Sequence, residues 1–152
     1  MRLTFNQTLS TAAGHPDAAE SQEQKLNVTV VFTCVKATVA AMKKAGALAE
    51  SLGARITLVV PQVVPFPLEL TSPPVLLEFQ ERRFRDIAKL SPVEINVKLY
   101  LCRDEMETAK AVLQPHSLVV VGGRRRFWPT REKALARTLR KAGHEVVFIE
   151  AE

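Results

Sequence analysis

The chain has 152 residues, 47% hydrophobic and 24% charged, a length that fits one domain with a substantial core. No uninterrupted apolar run approaches the roughly 18 residues of a membrane span, and the one early arginine is followed by no apolar signal core. These features argue against a membrane helix and a secretory leader, and a soluble cytoplasmic protein is expected.

The formal charge of +5 is unevenly placed. From Gly122 to His144 stand Arg124, Arg125, Arg126, Arg131, Lys133, Arg137, Arg140 and Lys141 against Glu132 alone, so this segment carries +7. It is either a solvated helix face with a basic loop, or an anion site for phosphate, nucleotide or nucleic acid. Cys34 and Cys102 fit neither a disulfide framework nor a zinc site, because Ala37 and Glu105 stand three positions on. Free thiols in a reducing compartment are expected.

Residues 1–24 are polar and rich in Ala, Ser, Gln and Glu, the composition of a flexible tail, although Leu3 and Phe5 alternate with polar neighbours as a short strand would. Leu26 to Phe32 is the first predicted strand, followed by a Thr33–Lys36 loop. A helix is predicted over about 37–52, with Gly53 suited to the left-handed position past its end. Ala41, Ala45, Leu48 and Leu52 form its apolar stripe. Ile56 to Val60 is the second strand. Pro61, Pro65, Pro67, Pro73 and Pro74 then impose an extended connection, because proline lacks the donor that continues a ladder. The second helix starts near Val75, with Leu77, Phe84, Ile87 and Ala88 inward.

The third strand, Glu94 to Leu101, alternates strictly, which predicts one apolar face and a sheet edge. Asp104 offers an N-cap with Glu107 at the reciprocal position. The short helix that follows turns Met106, Ala109 and Leu113 inward and ends at Pro115. The fourth strand, Leu118–Val121, breaks into Gly122-Gly123 and then Arg124-Arg125-Arg126. Such a β-branched run bounded by a turn signal is a strand buried on both faces. Thr130 caps a last helix carrying Leu135, Leu139 and Ala142, closed by Gly143, and Val146 to Ile149 is the final strand.

Strands alternating with helices predict an α/β fold, a Rossmann-like three-layer α/β/α sandwich in one domain over 25–152. Its doubly wound, five-stranded parallel sheet takes the order 3-2-1-4-5 when the third strand is an edge and the first and fourth are central. The switch crevice then lies between Thr33-Cys34 and Gly122-Gly123. The fifth strand is the other edge, yet Val146, Val147, Phe148 and Ile149 make it apolar on both faces. An edge of that kind needs cover, most simply the same strand of a second subunit in a homodimer.

Several chemistries fail at this crevice. Phe32-Thr33-Cys34 replaces the acids of a phosphoacceptor receiver, and the arginine six residues after a phosphatase cysteine is Ala40 after Cys34 and Thr108 after Cys102. There is no G-x-G-x-x-G, Walker loop or Ser-His-Asp elbow. His15, His116 and His144 are expected to be ordinary surface histidines. Neither an enzyme nor a metal site is expected.

Three stretches carry a resemblance. They are Val28 to Gly53, then Val59-Val60-Pro61, and then Ser117 to Gly122 with its helix and closing strand. In layout, over about residues 26–150, the chain resembles a divergent, UspA-like member of the universal stress protein family. The resemblance implies the 3-2-1-4-5 sheet, dimers joined through the fifth strand, and a non-enzymatic stress-response or signalling role. The nucleotide-binding branch of that family carries G-x2-G-x9-G-[ST] after the fourth strand. Gly122 matches its first position, but Arg125 stands at the second and Leu135-Ala136 at the last. Thr33-Cys34 also replaces that branch's aspartate. ATP or AMP binding of the usual kind is therefore not expected.

The ligand-site candidates are Thr33, Cys34, Gly122, Gly123, Arg124, Arg125, Arg126 and Thr130. Guanidinium groups bind phosphate bidentately, and Thr130 at a helix N-terminus adds donors, which would make the chain a sensor of a nucleotide or phosphorylated ligand. A nucleic-acid-associated protein using the basic helix and Trp128 is the other alternative. Trp128 stacks on a base or anchors the loop against the helix, and the anchor is the expectation. Cys34 is expected to be a small packed side chain rather than a redox sensor.

Overall fold

The computed structural model of the chain describes residues 4–9, 26–64, 77–89 and 93–151. Its strands are β1 (Thr4–Leu9), β2 (Asn27–Val31), β3 (Arg55–Val63), β4 (Ile95–Cys102), β5 (Leu118–Arg124) and β6 (Glu145–Ala151). All pair in parallel in one sheet of order β1-β4-β3-β2-β5-β6. The helices are α1 (Val35–Leu52), α2 (Leu77–Ala88), α3 (Glu105–Val112) and α4 (Arg131–Lys141). Five of the strands thus take the expected doubly wound order, with β2 and β5 at its centre.

Helices cover both faces because alternate strand residues feed two separate cores. Val28, Val30, Ile56, Leu58, Ile95, Val97 and Val120 pack against the alanine stripe of α1 and against Phe84 and Ile87 of α2. Val31, Val119 and Val121 pack on the opposite face against Ala109, Leu113, Leu135 and Leu139. The small residues of α1 bring its backbone close to the sheet. Gly53 closes that helix in the left-handed conformation, at φ 63°, as its position predicts.

Four expectations need correction. First, Thr4–Leu9 is a strand rather than part of a flexible tail, running in register with β4 from Thr4↔Asn96 to Leu9↔Leu101. The unpaired outer edge of β4 is a ready template for it. The rest of the stretch assigned to that tail lies outside the described residues, as does the connection from Pro65 to Pro74. Secondly, β4 is consequently not an edge. Its alternation arises because one face enters the α1/α2 core while Asn96, Lys98 and Tyr100 stay half-exposed.

Thirdly, β3 does not stop at Pro61. Val59 O accepts from Phe32 N at 2.8 Å, so odd-numbered residues of β3 turn their backbone groups toward β2. By Pro61 that strand has ended, and the missing proline donor costs no ladder bond while pairing with β4 continues to Val63↔Cys102. Fourthly, the two apolar faces of β6 find partial cover within the protomer. Val147 and Ile149 pack on the α1 side, and Val146 and Phe148 pack on the α4 side. β6 leaves its backbone edge open and keeps Val146 to Ile149 half-buried.

The histidines differ from expectation as well. His116 is exposed, but His144 is buried at 9% exposure. The His144 Nδ1 accepts from Ser117 N at 3.1 Å. The imidazole fills the joint where β5 and β6 begin, at the end of the sheet opposite the crevice.

Candidate binding surface

The crevice forms because β2 is short. Beyond Val31 the chain turns through Thr33, whose Oγ1 donates to Gly122 O at 2.7 Å, while Thr38 Oγ1 accepts from Thr33 N at 3.2 Å. Cys34 occupies the N-cap of α1 without a side-chain capping bond and is half-buried. These contacts join the ends of β2 and β5, the pair expected to flank the crevice.

The glycines serve packing. A Cβ on Gly122 would sit 2.0 Å from Ala37 O, and one on Gly123 would sit 2.4 Å from Phe148 Cζ. Their open sides are filled by α1 and β6, so neither backbone lies bare for a phosphate.

The cleft beside Thr33 has a volume of about 160 Å³ and is lined also by Glu105, Met106, Arg131, Glu132, Ala134 and Leu135. Pockets that bury a drug-sized ligand run to roughly 300–1,000 Å³. The cleft is also electrostatically wrong for phosphate. Glu105 opens α3 and Glu132 lies in the first turn of α4, so carboxylates already occupy both positive helix ends. Burial pushes the Glu105 carboxyl above its ordinary range, and the Arg131 guanidinium, 3.1 Å away, opposes this while Glu132 and Asp104 add to it. Asp104 and Thr130 cap their helices as expected, accepting from Glu107 N at 2.9 Å and Lys133 N at 3.2 Å. Thr130 Oγ1 is therefore already engaged as an acceptor.

The arginines lie elsewhere. Arg124 ends β5 opposite Ala151, and Arg124, Arg125 and Arg126 are all exposed and absent from the cleft wall. Two bonds fix the loop's backbone. Arg125 N donates to Ala151 O at 3.2 Å, and Lys133 Nζ donates to Arg126 O at 2.8 Å while standing 3.9 Å from Glu150. Trp128 does not anchor this loop: it is 79% exposed, and Phe127 is fully so. Arg137, Arg140 and Lys141 extend the basic surface along the outer face of α4, whose inner face buries Leu135, Ala136 and Leu139.

The predicted site is thus three places. Thr33, Cys34, Gly122 and Gly123 belong to a packed junction, Thr130 to a helix cap, and the three arginines to an outward loop. Sequence reasoning missed Glu105, Met106, Arg131 and Glu132 as cleft residues. The available signal was Glu132, the one acid in the basic segment, placed where a helix dipole favours it. Cys102 is buried at the end of β4. Burial raises its thiol, against a hydrogen bond from Thr108 that lowers it and nearby Glu105 and Asp104, which raise it further.

No family model and no curated protein matches the chain. Among solved structures, a universal stress protein in complex with cAMP aligns with 84% of this chain and 98% of its own, at 14% identity and a TM-score of 0.49. Among the described residues no helix is long and apolar enough to cross a membrane.

Proposed function

We propose that the chain is a non-enzymatic, cytoplasmic binding module of universal-stress type that meets anionic partners on the Arg124–Trp128 loop, with no nucleotide in the crevice. The observation carrying this is the placement of charge: three arginines and two aromatic rings lie exposed on the loop, whereas the cleft wall carries two carboxylates against one cation, Arg131, which is paired with Glu105. Among the described residues, His116 and His144 lie at the far end of the sheet from the cleft. The stress-response role itself rests on the layout of strands and helices.

Calorimetric titration of the reduced protein with ATP and AMP, with and without magnesium, tests the reading, with heparin as a generic polyanion beside them. Heparin should give saturable heat and the mononucleotides none. Saturable nucleotide binding that vanishes in Arg125→Glu would establish the nucleotide-sensor reading instead.

The open backbone edge of β6 supports a second proposal, pairing with β6 of another copy. Sedimentation velocity at micromolar concentration should show a dimer, and a monomer across the range would remove it.

A further inference from the structure

We infer that the Arg124–Trp128 loop and the outer face of α4 bind single-stranded nucleic acid, with phosphates on the basic side chains and unpaired bases on Trp128 and Phe127. The inference rests on the reading of this loop as an anionic-partner site and names the partner.

Three observations favour it, set against the Arg140 bond and the two glutamates at the border of the surface. Phe127 and Trp128 expose their rings directly beside three exposed arginines, although most large apolar side chains of the described fold are buried or half-buried. Every base has a face to stack, and each base–aromatic contact contributes roughly 1–3 kcal/mol. The basic surface is also long enough to follow a strand. Arg137, Arg140 and Lys141 continue it along α4, whose 11 residues span about 16 Å. Arg140 keeps a bond to Val146 O at 3.3 Å, and Glu145 and Glu150 on β6 border the stripe. Glu132, the one acid within the segment, lines the cleft.

The surface also suits a single strand better than the alternatives. Bases stacked in a duplex offer no free faces to the two rings. The N-terminal turn of α4 carries Glu132 and offers no dipole site for backbone phosphate. An anionic membrane would require an apolar helix face, and the exposed face of α4 is charged.

Trp128 is the only tryptophan, so its emission reports from the site itself. The experiment titrates the full chain at low salt with an oligouridylate of about 12 nucleotides. Saturable quenching is expected, with the logarithm of affinity falling against that of salt at a slope between about −2, for three phosphates neutralised at the loop, and about −4, when Arg137, Arg140 and Lys141 also engage. The triple variant Arg124→Ser, Arg125→Ser, Arg126→Ser should bind about tenfold or more weakly and flatten that slope. Trp128→Leu, followed by anisotropy of a labelled oligonucleotide, should lose about tenfold while Trp128→Phe retains most of the affinity. All these positions are exposed, and circular dichroism checks that the variants remain folded. Equal affinity for a duplex of the same length would overturn the inference. So would quenching by anionic vesicles without quenching by oligonucleotide, or an affinity that ignores the arginines. Arginine-dependent heparin binding without oligonucleotide binding would overturn this inference alone. Failure to bind any polyanion would remove the reading of the loop as well.

Discussion

Gly122→Ala is expected to destabilise the protein by about 3 kcal/mol or more, because the added methyl meets backbone that has nowhere to go. The new Cβ would stand 2.0 Å from Ala37 O and 2.6 Å from Ala37 C, with Ala41 Cβ at 3.2 Å. Moving α1 away would open the core that Ala41, Met42, Ala45 and Ala49 make with the sheet. Gly123→Ala provides the contrast on the same strand. There the nearest atoms belong to the ring of Phe148, a half-buried side chain at an edge strand that is able to turn aside. Urea denaturation of the two variants against the parent should show the larger loss of midpoint for Gly122→Ala. Equal or reversed losses would mean that α1 is not held as closely as its contacts indicate.

Stability should also fall as the pH drops below about 6.5, the ordinary histidine range, through His144. Burial lowers the pKa of this imidazole, with the charge of nearby His116 a second cause in the same direction. The unfolded chain therefore takes up the proton first. The contribution of His144 is complete above the unfolded value and is lost as pH falls toward the folded one. Protonation removes the acceptor of Ser117 N–H, and leaving such a donor unpaired costs about 1–3 kcal/mol. Glu105 acts in the opposite sense. Its raised carboxyl pKa gives a contribution that is present in acid and lost as pH rises through the folded value. The decisive quantity is therefore the difference between the parent and His144→Leu, measured by denaturant midpoints from pH 7.5 to about 5. Parallel profiles would dismiss the role given to His144.

Much of the fold could be read from periodicity. The β-branched runs at Val28–Val31 and Leu118–Val121 marked the central strands because only a two-faced core selects such residues. Periodicity misled where two causes give one pattern. Alternation in β4 reports a half-covered face, and an edge strand would alternate in the same way. Two apolar faces on β6 suggested a partner subunit, and α1 and α4 supply part of that cover within the protomer. β1 was hinted at only by the alternation at Leu3 and Phe5, because its register comes from β4, which a local reading of a polar N-terminus does not see. The site was harder. Paired glycines after a strand signal close approach without saying of what, and here the approaching groups are Ala37 and Phe148. The exposure of Trp128 depends on how the loop leaves β5, which no local pattern encodes.

The early end of β2 has one more result. Past Val31 the sheet divides into two blades, β1-β4-β3 on one side and β5-β6 on the other, with no strand shared between them. Across the division run the Thr33–Gly122 bond and the packing of α1. A twist of one blade against the other breaks fewer ladder bonds there than anywhere lower in the sheet. The cleft at Thr33 and the arginine loop on the β5-β6 blade both lie above that fork, and the Thr33–Gly122 bond ties the two blades together at its base.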